Sequence, residues 1–465
     1  MDAVVWDIID DIGVLHDSDI ISKWLAKHGA DDITEAIQAV HTQQKEGLFL
    51  SHRPKRMLGY EDPDSLLSTY RAGPEQIILE VTAQCNLRCL YCIFSGQYYY
   101  ERTHFSCSMS KTVMRQSLAY ARSCALAIDG EQERGVSFYG DEPLLRYEVI
   151  RELISEFNCD RDVRWIFRIV TNGTLINEEM AKFFAENGVF LQVSLDGPRH
   201  IHDRYRVFPN GSPTFDRILK NLAMLRKLAP TYYDTHVVFA VTIGPGSDLH
   251  AIDDFFKSEP LVENHPLTIT FLSSYDTNLF TRIGNYTPAQ VKQREQLKLD
   301  YISRLARNET PTQVQSAFFA KSLRRIHRRT AVRLGEFIPA NGTCYPGITR
   351  VFVNVNGELT PCEKVGSAAC FRLGKVETGI DIKAAKGLID RYVEVSEKKC
   401  IKCWAQRLCD LCFNSGRKGD SLSLHRKKEE CARALTRFHE ELVMYASIME
   451  KNPRAFDDLI PYPKQ

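Results

Sequence analysis

No run of this 465-residue chain is long and apolar enough to span a bilayer, and its start, Met-Asp-Ala-Val-Val-Trp-Asp-Ile-Ile-Asp-Asp, is acidic where a secretory signal needs a basic region. Net charge is also lacking. Sixty basic against 59 acidic residues leave +1, so no global field recruits nucleic acid or a membrane. The basic run Arg324-Arg325-Ile326-His327-Arg328-Arg329 has no interleaved aromatics of the kind that stack RNA, and reads as a solvated helix face. These absences predict a cytoplasmic protein with neither membrane nor nucleic acid among its partners. What the chain does have is cysteine, 14 of them. In a reducing compartment, clustered cysteines read as metal ligands rather than disulfides.

The length exceeds one ordinary core, so several domains are expected. Residues 1–50 show three short apolar stripes at helical spacing: Val4, Val5, Ile8 and Ile9; Ile20, Ile21, Trp24 and Leu25; Ile33, Ile37 and Val40. Asp31 or Asp32 is placed to cap the third helix and Gly47 to end it. Residues 51–75, broken by Pro54, Gly59, Pro63, Gly73 and Pro74, read as a linker. From 76 to 285 strand-like runs, at 77–81, 135–139, 167–170, 189–193, 237–241 and 267–271, alternate with helical ones. Six such units imply an α/β fold on a parallel sheet, either doubly wound or an incomplete barrel. Polar clusters follow successive strands: Tyr139-Gly140-Asp141-Glu142-Pro143, Thr171-Asn172-Gly173-Thr174 and Ser194-Leu195-Asp196-Gly197-Pro198. They gather at the carboxyl edge, where such sheets build their sites. Residues 286–335 read as a helical bridge begun by Thr287-Pro288. Cysteines return in 336–440, before a tail at 441–465.

The first cysteine group is Cys85-Asn-Leu-Arg-Cys89-Leu-Tyr-Cys92. Three thiolates can hold three irons of a [4Fe–4S] cube and leave the fourth iron open to a ligand; a zinc loop or plain reduced thiols are the alternatives. The spacing, with its aromatic before the last Cys, resembles the signature of radical S-adenosylmethionine (SAM) enzymes. Residues 76 to about 275 resemble their core, a partial (β/α)6 barrel, and 139–143 resembles the family's Gly-Gly-Glu-Pro motif with Asp141 in place of the second Gly. The resemblance implies SAM as cofactor. It would lie with Tyr91 near the adenine, Gly140 and Glu142 at the methionine amino group, Ser194 at the ribose and Arg206 forked onto the carboxylate. His200 and His202 read as structural or surface residues.

In the second cysteine field, Cys344 and Cys362 bracket a hairpin whose Asn356-Gly357 turn is expected to supply positive φ angles. Then come Cys400-x2-Cys403-x5-Cys409-x2-Cys412 and Cys431. A zinc ribbon is one reading. The whole pattern resembles the SPASM extension of radical SAM enzymes, which implies two auxiliary [4Fe–4S] clusters and so three in all. By that resemblance Cys400, Cys403, Cys409 and Cys431 hold the distal cluster, and Cys344, Cys362 and Cys412 the nearer one. Either Cys370 completes the latter or its fourth iron stays open. Cys107, Cys124 and Cys159 have no motif around them and read as buried thiols. By the same resemblance Glu363 occupies the place where sulfatase-maturing enzymes have an Asp base; a surface Glu at the hairpin end is the alternative. The N-terminal helices resemble the helical half of a small winged-helix peptide-recognition domain; a helical cap is the alternative.

The resemblance thus implies a radical SAM peptide maturase that takes a hydrogen atom from a ribosomally made precursor peptide through a 5′-deoxyadenosyl radical, with an electron donor such as flavodoxin or ferredoxin. A Cys thioether crosslink is the bond expected. A formylglycine-generating sulfatase-type maturase and a non-catalytic iron–sulfur scaffold are the alternatives.

Overall fold

The computed structural model describes residues 3–46, 53–59, 68–130, 132–329, 335–340, 342–366 and 368–457. Helices Ala3–Ile8, Asp17–Trp24 and Ala30–Lys45 bury Val5, Ile8, Ile20, Ile33, Ile37 and Val40 in a small core of their own. Gly29, not Asp31 or Asp32, is the N-cap of the third helix. The two aspartates lie in its first turn, where they favour the helix dipole instead. Gly47 falls outside the described residues. Strand β1 (Arg56–Leu58) lies in the segment that reads as a linker. It runs parallel to a strand at Phe337–Pro339, and Tyr70 donates to the Pro346 carbonyl at 2.9 Å, so this stretch is fastened to the C-terminal region.

All six strand-like runs are strands: β2 (Gln76–Thr82), β3 (Gln132–Gly140), β4 (Val163–Thr171), β5 (Phe190–Ser194), β6 (Val237–Ile243) and β7 (Leu267–Phe271). Each pairs in parallel with the next. One face carries Val136, Phe138, Phe167, Ile169, Leu191, Val193, Phe239 and Val241, buried under the helices. Burial of each such side chain contributes about 1.5–3 kcal/mol. The alternate residues Tyr139, Arg168, Gln192, Ser194 and Thr242 face the other way and are half-buried. That second face lines the lumen of a partial α/β barrel.

The sheet does not end with the barrel. Strand β8 (Phe337–Pro339) is the partner of β1. Strand β9 (Val351–Val353) then adds in parallel to β2, and β10 (Glu358–Thr360), β11 (Gly374–Lys375) and β12 (Gly379–Ile380) continue antiparallel, giving ten strands in the order β12-β11-β10-β9-β2-β3-β4-β5-β6-β7. The turn between β9 and β10 differs from the expected pair of positive φ angles. Only Gly357 has one (φ 80°), and the Asn354 side chain accepts from the Asn356 and Glu358 amides at 3.0 Å each. Asn354 thus supplies a local side-chain turn that spares Asn356 the left-handed conformation.

Helix Pro288–Ala306 begins at Thr287 with a capping box completed by Gln290, as Thr287-Pro288 suggests. Helix Leu424–Met449 carries Cys431 and runs past residue 440, burying Phe438, Met444 and Ile448. No described helix is long and apolar enough to cross a membrane.

Candidate radical and iron–sulfur sites

The Cys85–Cys92 loop leaves the carboxyl end of β2 and is tied to the segment after β5. The Arg88 amide donates to the Val207 carbonyl at 2.8 Å and the Leu90 amide to the Tyr205 carbonyl at 2.9 Å. Amide hydrogens point at the sulfurs: Leu87 N–H at Cys85 Sγ (3.3 Å) and Phe94 N–H at Cys92 Sγ (3.4 Å), with Asn172 Nδ2 3.9 Å from Cys85 Sγ. Burial pushes the Cys85 and Cys92 thiols up to about 12, and the charges of neighbouring thiolates add to it. Burial raises Cys89 too, opposed by the Arg206 guanidinium. Three mutually repelling thiolates wrapped in donors suit a cationic cluster that displaces their protons. Among the described residues no three His, Cys, Asp or Glu side chains are drawn around a single point as one tetrahedral zinc requires. A four-iron cluster instead puts each thiolate on its own iron.

Gly140 ends β3 with φ 117°, and a Cβ there would stand 2.5 Å from the Thr82 carbonyl oxygen, so only glycine fits. Asp141, which replaces a glycine of the family motif, is fully buried on Arg102 Nη2 (2.8 Å) and His104 Nδ1. Arg102 Nε also donates to Glu80 Oε1 at 2.8 Å, and Glu80 Oε2 accepts from the Val355 amide of the added hairpin at 3.1 Å. The substitution therefore belongs to a buried ion network that links the two cysteine regions.

Glu142 is enclosed rather than open to a ligand. Its oxygens accept from the Leu144 amide (3.0 Å), the Thr171 hydroxyl (2.8 Å) and the Asn172 amide (2.8 Å), clamping the ends of β3 and β4. Burial raises its pKa to about 7, against those three donors. Because the folded pKa lies above the ordinary 4.5, the folded state holds the extra proton between these values. That contribution to stability is full below about 4.5 and is lost as pH rises through about 7. We expect the melting temperature of the wild type to fall relative to Glu142→Gln across this window, at a rate equivalent to about 1.4 kcal/mol per pH unit. Equal pH profiles would remove the assignment.

Ser194 ends β5 on the lumen face, beside Ala240 of β6. Arg206 and Tyr91 converge on one carboxylate, that of Asp196. Arg206 donates to it through Nε (2.8 Å) and Nη2 (3.2 Å), Tyr91 through its hydroxyl, and the Thr242 amide at 2.9 Å. The Arg206 guanidinium lies 5.3 Å from the Tyr91 ring centre. The carboxylate expected for Arg206 is thus supplied, in the protein alone, by Asp196. His202 accepts from the Asp196 amide at 3.2 Å and contacts Thr214 Oγ1 at 3.0 Å, and burial lowers its pKa to about 4, so it is a neutral structural residue.

The later cysteines divide into two groups. Burial raises Cys344 and Cys362, and the charge of Cys412 raises both further. Burial also raises Cys400, Cys409 and Cys431. Cys403 adds to the shift of Cys400 and of Cys431, and Lys427 opposes all three. Lys427 is 3% exposed, 3.8 Å from the Tyr392 ring centre and 3.9 Å from Cys400 Sγ. A buried ammonium there offsets thiolate charge. Cys370 stands apart: burial raises it, and its charged neighbours are Arg391, Asp420 and Arg417, with no cysteine among them. Cys370→Ala is accordingly expected to leave the iron content as in the wild type, whereas a loss of about four atoms would make it a ligand. Glu363 Oε2 is enclosed without a hydrogen bond, 3.9 Å from Arg350 Nη1.

Asp196, Arg102 and Lys427 are site residues that sequence reading missed. Lys427 had a signal, four residues before Cys431 on one helix face. Asp196 stood in a noted cluster without a role, and Arg102 had no signal.

The chain matches the Radical SAM superfamily over residues 79–258, a stretch that holds most of the parallel barrel with this loop at its carboxyl edge. It is similar to the cysteine-type anaerobic sulfatase-maturating enzyme of Clostridium novyi, 32% identical over 187 residues, 39% of this chain and 48% of that one. A serine-type counterpart from Bacteroides thetaiotaomicron is 32% identical over 157 residues, 32% of this chain and 36% of that one. The chain thus spans half or less of these relatives. In fold it resembles native anSMEcpe with bound AdoMet and Cp18Cys peptide (TM-score 0.58, 20% identity, 82% of this chain and 98% of that one). It also resembles Streptococcus suis SuiB bound to S-adenosylmethionine (TM-score 0.51, 15% identity, 85% and 89%).

Proposed function

We propose that the chain is a peptide maturase in which Cys85, Cys89 and Cys92 hold the SAM-binding [4Fe–4S] cluster and the two later thiol groups hold auxiliary clusters. The observation that carries this is Tyr139. Its ring stands on the lumen wall next to Gly140 and meets that of Phe352 on β9 at 6.5 Å, between the strand end beside the first cysteine loop and the hairpin that Cys344 and Cys362 bracket; burial and then the charges of Glu363 and Cys92 raise its pKa. This supports the reading that the radical loop and the nearer auxiliary group face one space. The cluster and SAM, when bound, supply a 5′-deoxyadenosyl radical that takes a hydrogen atom from an unactivated carbon. Around it, Tyr91, Gly140 and Ser194 shape the SAM site, while the network on Asp196 and Arg206 holds the loop. Glu363 Oε2, which has no hydrogen-bond donor of its own, would take the thiol proton as a substrate sulfur joins carbon, and an auxiliary cluster held by the later cysteines would accept the remaining electron.

A Cys thioether crosslink is the bond we favour. Glu363 is followed by Lys364 and Val365, not by the Phe-Tyr of sulfatase-maturing enzymes. The second reading, formylglycine formation, draws on the named functions of the relatives above. Anaerobic turnover with reductant, SAM and a Cys-containing peptide separates them: a crosslink removes two hydrogens and keeps all sulfur, whereas conversion of Cys to formylglycine loses sulfur. No 5′-deoxyadenosine under any of these conditions would refute both.

A further inference from the structure

The lumen face carries two arginines at its foot. Arg168 of β4 pairs in register with Ser137 of β3 and Phe190 of β5, and its guanidinium lies 5.6 Å from the Phe190 ring centre. It leans over Gly135, where a Cβ would stand 3.0 Å from Arg168 Nη1. Glycine at that point leaves room for the head group. Gly135 pairs with Gln76, and since Ile77 pairs with Val351 in parallel, Gln76 stands beside Arg350 of the added hairpin. Arg350 shares a face with Phe352, whose ring meets that of Tyr139 at 6.5 Å, so it too looks into the lumen. Arg350 on β9, Gln76 on β2 and Arg168 on β4 thus share the lumen face of four adjacent strands, with Arg168, two residues further along, bringing its head group back over Gly135 of β3 beside Gln76.

Charge in this group is only partly balanced, by the Arg350–Glu363 ion pair. Among the described residues Arg168 has no carboxylate partner, and Arg350 has only Glu363 at 3.9 Å, beyond hydrogen-bond reach. Gln76 turns its amide to Ser137 Oγ at 2.7 Å. A half-buried guanidinium beside an aromatic ring on the lumen face, as Arg168 is, suits a planar anion, because the guanidinium fork matches a carboxylate.

We propose that this group binds a carboxylate of the substrate, so that the enzyme selects peptides with an acidic side chain, or a free C-terminus, near the residue it modifies. The inference rests on the peptide-substrate reading above and adds the substrate class. A carboxylate held at the foot of the lumen leaves the adjoining residues to extend past Tyr139 and Glu363 toward the radical loop.

The test uses the full-length reconstituted protein with SAM and no reductant, mixed with an equimolar library of short Cys-containing peptides, some with free and some with amidated C-termini. Retained peptides are read by mass spectrometry. Peptides with Asp or Glu, or those with a free C-terminus, should be retained about tenfold over their Asn, Gln or amidated counterparts. The preference should vanish in Arg168→Gln, weaken in Arg350→Gln and partly return in Arg168→Lys, with circular dichroism checking the fold of each. Equal retention of acidic and neutral peptides, no retention of any, or a preference unchanged in folded Arg168→Gln would overturn the proposal. Because no radical forms in this assay, failure of SAM cleavage would count against the enzyme reading and leave this result standing.

Discussion

Asp196→Ala is expected to destabilise the barrel by about 3–5 kcal/mol, because it strands a buried guanidinium. Arg206 is 8% exposed and its Nε and Nη2 are both spent on this carboxylate, as is the Tyr91 hydroxyl. Removing the carboxylate leaves two buried donor groups and the Thr242 amide without an acceptor. Asn in its place keeps an acceptor for Thr242 but not the charge, so Asp196→Asn should fall between Ala and the wild type. A melting temperature lowered by roughly 10 °C, with SAM binding lost, is the measurable result. A stable Asp196→Ala protein would mean that Arg206 finds another partner and that the network does not hold the loop.

Arg102→Ala should be at least as damaging, since it uncovers two buried carboxylates. Glu80 and Asp141 are held within hydrogen-bond reach of one guanidinium, and the His104 ring is the other contact of Asp141. Breaking such a pair costs about 3–5 kcal/mol. Asp141→Gly alone should be mild, because Arg102 keeps Glu80 as a partner. The double variant should therefore be more stable than Arg102→Ala, a coupling of about 1–3 kcal/mol measurable by thermal melts of the four proteins. Strict additivity would show that Asp141 and Arg102 do not form a unit.

Much of the fold was legible because its signals are local. Each barrel strand is a β-branched run closed by a polar cluster, and the six parallel units follow from counting them. The cysteine spacing was visible for the same reason. What could not be read were partnerships between distant residues. The continuation of the barrel sheet through β9 joins Ile77 to Val351, and nothing in either segment announces the other. Glu142 and Arg206 read as ligand-facing because a motif names residues without naming their neighbours; burial then demanded protein partners, Thr171 and Asn172 for one and Asp196 for the other. Asp141 departs from the family's glycine, and its partners Arg102, 39 residues away, and His104 explain it. At the hairpin, Asn356-Gly357 suggested two left-handed residues, but the side chain of Asn354 makes a turn that needs only one.

Iron content and SAM cleavage, measured together on the variant with Cys85, Cys89 and Cys92 all replaced by Ala, test the central claim most directly. The account predicts about twelve irons per chain in the wild type, about eight in the variant, and complete loss of 5′-deoxyadenosine production with the auxiliary groups intact. Production of 5′-deoxyadenosine by the variant, or iron unchanged from the wild type, would contradict it.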